Sequence, residues 1–186
     1  PLSSSSAASD VYKRQGQWQE QGERGVWHPA AGKTSLSYRV KLDQKLRSGA
    51  YSSRITPHWA LFLGDQLVPP ARLDQQDGTE LVARLSVDLP DGWNSIETAW
   101  PRIGKDKFRI DNVSRLFDRP TGWMLAGDLG SRRARLGETD VTVAAPVGQG
   151  MRRMDNLTLL TFVWPQLQAV FPRNPPKLLL VLSLIH

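Results

Sequence analysis

The side chains able to do chemistry are few and widely spaced. There is no cysteine, which excludes disulfides, thiolate metal sites and cysteine nucleophiles together. The three histidines are His28, His58 and His186, and none has a second histidine three to five residues away. The spacing that lets one helix or turn offer two imidazoles to zinc is therefore missing. A Ser–His–Asp triad assembles only in the fold, but no nucleophile-elbow motif marks a serine for that role. Gly148-Gln149-Gly150 follows an apolar strand and precedes a helix, as a dinucleotide fingerprint would. That fingerprint needs a third glycine at position 153, where close packing forbids a large side chain, and Arg153 stands there. Gly32-Lys33-Thr34 resembles the end of a phosphate loop, but position 27 is Trp27 where the loop requires glycine. The expectation is a sequence with no catalytic, cofactor-binding or metal-ligating residues of its own.

Two surface chemistries are compatible with the composition. Seven tryptophans could stack on sugar rings, although Trp93 and Trp123 each follow a glycine at a strand start, a placement that favours packing at the ends of a sandwich. The formal charge is +6, yet the basic residues are mixed with nearly as many acids, unlike a nucleic-acid stripe. Arg132, Arg133 and Arg135, with Lys105 and Lys107, read as a modest solvated basic face. Asn112-Val113-Ser114 and Asn156-Leu157-Thr158 match the glycosylation pattern, the second inside a helix.

The elements that would position any site are mostly short strands. Thr34–Leu42 alternates Leu36, Tyr38, Val40 and Leu42 with polar residues, and Glu80–Leu89 alternates in the same way before the Pro90-Asp91-Gly92 turn. Trp59–Leu63, Gln66–Val68, Asn94–Trp100, Lys107–Asp111, Arg115–Phe117, Trp123–Leu129, Arg132–Leu136 and Thr139–Ala144 are further expected strands. Gly16–Gly32 reads as an irregular lead-in or edge strand, and Gln44–Pro57 as a loop. This density of strands and turns predicts a sandwich or barrel. Met151, Met154, Leu157, Leu160, Trp164, Leu167 and Phe171 then recur at spacings of three and four, predicting one long helix. Pro165 should kink it or split it in two, because it lacks an N–H and crowds the carbonyl of Thr161. Lys177–Val181 reads as a buried strand. The fold class expected is mainly β, with a sandwich over residues 16–149 and a helix and strand over 150–181 that begin a second, truncated domain.

Residues 1–15 and 182–186 resemble translated sequencing-adapter sequence and are expected to be foreign, with the first segment disordered. No run reaches the roughly 18 apolar residues of a membrane span. No signal peptide is legible either, and a periplasmic or secreted location would follow only if one preceded the native start.

Four stretches carry a resemblance to a known group. Tyr38-Arg39-Val40, Leu89-Pro90-Asp91-Gly92-Trp93, Phe117-Asp118-Arg119-Pro120-Thr121-Gly122-Trp123 and the helix through Arg152, Arg153, Asp155 and Leu157 are similar to the N-terminal region of glycyl-aminopeptidase-like metallopeptidases of the gluzincin clan. The resemblance covers about residues 16–181. It implies an N-terminal sandwich followed by a thermolysin-like zinc domain and, often, a PDZ domain. It also implies a zinc site later in the parent, built from H-E-x-x-H and a distant Glu, with two histidines on the metal and the motif's Glu activating water. No His-Glu pair occurs in this sequence. The expectation is therefore an inactive, non-catalytic fragment whose partners are the missing catalytic domain and, in the parent, a peptide substrate. No nucleic-acid partner is expected. The rival expectation is a stand-alone sandwich module that binds carbohydrate or protein.

Overall fold

The computed structural model describes residues 16–22, 24–29, 35–42, 44–45, 51–68, 81–110, 119–171 and 173–183. The chain divides into two compact units, one up to Lys41 and one from Leu42 onward. The first contains an antiparallel hairpin, β1 (Gly16–Gln21) and β2 (Arg24–Pro29), turned at Gly22 with φ 62°. The lead-in is thus a regular hairpin. Residues 35–42, expected as a strand, form none: Tyr38 and Val40, which the alternation would bury, are exposed. Alternation alone does not make a strand when no partner strand pairs with it.

Among the described residues the second unit holds three sheets. The central one is ordered β3 (Gln44–Lys45), β4 (Tyr51–Ile55), β5 (Trp59–Leu63), β10 (Trp123–Gly127), β7 (Ser95–Thr98). Two strands therefore occupy the stretch expected to be a loop. The second sheet is β6 (Ala83–Ser86), β9 (Lys107–Ile110), β8 (Arg102–Gly104). The third is β11 (Leu129–Leu136), β12 (Thr139–Pro146), β13 (Lys177–Val181). Residues 64–66, which overlap the expected Gln66–Val68 strand, form a short 3-10 turn; Arg115–Phe117 lies outside the described residues.

The period-2 geometry of the central strands explains how the sheets stack. Ala60, Phe62, Ile96, Met124 and Ala126 pack with Phe108 of β9 on one face, while Trp59, Leu61 and Leu125 pack with Leu129 and Ala144 on the other. Both faces of β5 and β10 are covered, which is why these strands read as continuous apolar runs. Gly127 closes β10 at φ 140°, and a Cβ there would lie 2.4 Å from the His58 carbonyl oxygen. Only glycine lets these backbones approach so closely.

The third sheet carries the helix α1 (Arg153–Val170) on its far side, with Leu157 and Trp164 buried against Leu136, Val141 and Val143. β13 pairs parallel to β12, and a parallel pair requires a crossover that α1 provides. Gly148 and Gly150 both have positive φ in the turn out of β12. The helix and strand after Gly150 thus extend a sheet already begun before it. The helix runs unbroken through Pro165, so the expected split does not occur. Proline removes one hydrogen bond, and the anchors Leu157 and Trp164 hold the helix along its length. Met154, Leu167 and Phe171, expected on the buried face, are exposed. Leu182, in the adapter-like tail, donates its amide to the Ala144 carbonyl at 2.9 Å and packs beside the helix.

Candidate functional site

Ile96 and Thr98 of β7 point into the core shared with β9, which turns Glu97 the opposite way. Its carboxylate is 1% exposed, the least favourable place for a charge unless it is paired. Arg102 of β8 reaches it at 3.1 Å, Arg133 of β11 binds its other oxygen, and the Ser95 hydroxyl donates at 3.4 Å. Arg102 also donates to the Ile96 carbonyl at 2.5 Å and to the Lys105 carbonyl. Lys177, the first residue of β13, donates to the Trp100 carbonyl at 2.9 Å and stands 5.7 Å from the centre of the Phe108 ring. Arg102 lies over the same ring at 4.8 Å. One carboxylate therefore draws cations from strands of the two flanking sheets.

Electrostatics sharpens this picture. Burial pushes Lys177 down to about 8, with Arg102 and Arg133 adding to the effect and Glu97 and Asp140 opposing it. Glu97 is held on both oxygens by charge-assisted bonds, which tie its strand to those of Arg102 and Arg133. The cluster is a positioning device.

The residues singled out in the sequence fare differently. His28 lies exposed on β2, and His58 is exposed in the turn before β5. Among the described residues no group of three or more His, Asp and Glu is placed to hold a metal. Gly148-Gln149-Gly150 forms a turn, while Gly32-Lys33-Thr34, Asn112-Val113-Ser114 and His186 lie outside the described residues. Asn156 is in α1, where its amide donates to the Arg152 carbonyl at 3.0 Å. Tryptophans mostly face inward: Trp59 and Trp164 are buried, Trp93 donates to the Pro57 carbonyl and Trp100 to the Thr121 carbonyl. Trp123 is exposed. Of the expected basic face, Arg135 sits 3.8 Å from Asp140 in solvent, but Arg133 reaches the buried Glu97. Glu97 and Lys177 escaped the sequence reading. The available signal was a lone charge within or opening an apolar run.

The stretches that carry the resemblance are turns and ties. Trp93 donates its amide to the Pro90 carbonyl at 3.1 Å around Gly92, whose φ is 84°. Arg119 pairs with Asp65 at 3.4 Å, and Asp65 also accepts from the Gly122 amide at 3.2 Å. Arg152 pairs with Asp155 at 3.5 Å across the first turn of α1.

No family model and no curated protein sequence matches the chain. Among solved structures it is similar to an aminopeptidase N family protein from Idiomarina loihiensis, with a TM-score of 0.62 at 15% sequence identity. The two share a fold. The match covers 95% of this chain and 34% of that one, so this chain spans about a third of that protein's length. The mainly β architecture with one helix and a following strand is therefore found within a longer polypeptide. No helix among the described residues is long and apolar enough to cross a membrane.

Proposed function

We propose that this chain is the non-catalytic part of a zinc aminopeptidase-like protein of the gluzincin type. On this reading the sheet around β5 and β10 and the β6–β9–β8 sheet belong to its sandwich, and the β11–β12–β13 sheet with α1 opens its catalytic domain. The observation that carries this reading is the fold match, which takes up nearly all of this chain and a third of an aminopeptidase N family protein. The resemblance at the Leu89–Trp93 and Phe117–Trp123 stretches of the sequence supports it as well. In this reading the sandwich braces the zinc-bearing part and helps to position peptide substrate. Glu97 supplies a physical means of bracing, because it ties β7 to β11 and neighbours β13. Zinc would be held by residues outside this sequence, and no chemical step runs through the residues described here.

The test is an assay of a longer product that contains this segment, using an unblocked and an N-terminally blocked peptide. The reading predicts hydrolysis of the unblocked peptide only, lost with a chelator and restored by zinc. Chelator-insensitive hydrolysis, or none in a folded product, contradicts it.

A further inference from the structure

α1 is apolar on more than the side that faces its sheet. Leu157 and Trp164 are buried, yet Phe162 is 75% exposed, Val170 71% and Leu159 59%. At 100° per residue these three lie within about 80° of one another and roughly 120–160° from Leu157 and Trp164, a contiguous strip on the side of the helix turned away from its sheet. An isolated exposed leucine needs no explanation, but an ordered strip with phenylalanine at one side does.

The sheet beneath is also incompletely covered. A helix about 10 Å wide spans roughly two strands spaced about 4.8 Å apart. α1 packs on β11 and β12, while Leu178 and Leu180 of β13 remain half-buried. β13 is apolar on both faces, with Leu179 and Val181 turned toward the central sheet. Such a run suits a strand inside a covered sheet better than an exposed edge. Most of the longer similar protein lies outside the region this chain matches.

We propose that the Leu159–Phe162–Val170 strip of α1 is the docking face for an apolar-faced helix of the same polypeptide, encoded beyond the residues present here. The inference rests on the reading that this chain is part of a longer protein, and names the partner of its helical layer.

Absence of cysteine makes a clean test possible. Phe162→Cys and, as a control in the exposed β11–β12 turn, Glu138→Cys are each introduced into the 186-residue chain and into the longer product of the source DNA. Both thiols should react rapidly with a maleimide in the short chain. In the longer product the Phe162→Cys thiol should slow at least about tenfold while the control does not, as expected for a site reached only by local opening. Equal reactivity in both products overturns the proposal. So does protection in the short chain that grows with its concentration, which would assign the face to a second copy. A source reading frame with no further segment overturns it as well. Protection in a longer product that lacks a zinc motif would leave this proposal standing and remove the enzymatic reading.

Discussion

The central sheet meets a neighbour on each face, and the two interfaces are built differently. Toward β6, β9 and β8 the contact is centred on Phe108, Ile96 and Met124, all at most 1% exposed, with Arg102 of β8 reaching Glu97 at its margin. Toward β11, β12 and β13 an apolar centre of Leu61, Leu125 and Ala144 has a charged companion, the Glu97 carboxylate with Arg133. Apolar packing is non-directional and supplies most of the stabilisation. A buried ion pair adds little net stability, since desolvation offsets its attraction, but breaking one partner is costly. The difference teaches that the first interface holds the sandwich together, whereas the second also fixes how the helical layer sits on it.

Each side of that comparison can be broken separately. Phe108→Ala should have the largest effect, a loss of about 4 kcal/mol in urea denaturation, because it opens a cavity in a fully buried cluster. Glu97→Ala should cost about 2 kcal/mol in the same measurement, since it empties a buried position and leaves the partly buried Arg102 without its carboxylate. Arg133→Ala should cost under about 1 kcal/mol, its side chain being 56% exposed and screened by water. An Arg133→Ala loss as large as that of Glu97→Ala would place the tie in Arg133 and not in the buried carboxylate.

A further effect is one of pH. Folding lowers the Lys177 pKa from 10.5 to about 8. Between these values the unfolded chain holds more protons than the folded one, so this group makes stability rise with pH through that window. Below about 8 both states are protonated and the folded state carries the full penalty. Lys177→Met should therefore remove an upward slope between pH 8 and 10.5, seen as a stability difference between wild type and variant that changes across the window. A difference independent of pH would show that Lys177 titrates normally.

Much of the fold was legible from local pattern. Trp59–Leu63, Lys107–Asp111, Thr139–Ala144 and Lys177–Val181 each coincide with or overlap an observed strand, since an apolar run of strand length between turn residues has few other uses. Tyr51–Ile55 was not legible, because a polar strand is fixed by pairing with β5 and not by its own residues. Thr34–Leu42 failed for the converse reason: its alternation is clean, but no described strand pairs with it. The helix was legible, its buried face only in part. Leu157, Leu160 and Trp164 were placed correctly, but a helix lying over two strands leaves its flanks open. The Glu97 cluster was invisible, since Arg102, Arg133 and Lys177 are brought to it from distant parts of the chain by the stacking of sheets.

The most direct test of the functional account is to read the source DNA beyond Val181 for the next few hundred codons. The account predicts an H-E-x-x-H motif followed downstream by a glutamate. A natural stop shortly after Val181, or a long continuation without that motif, would contradict it.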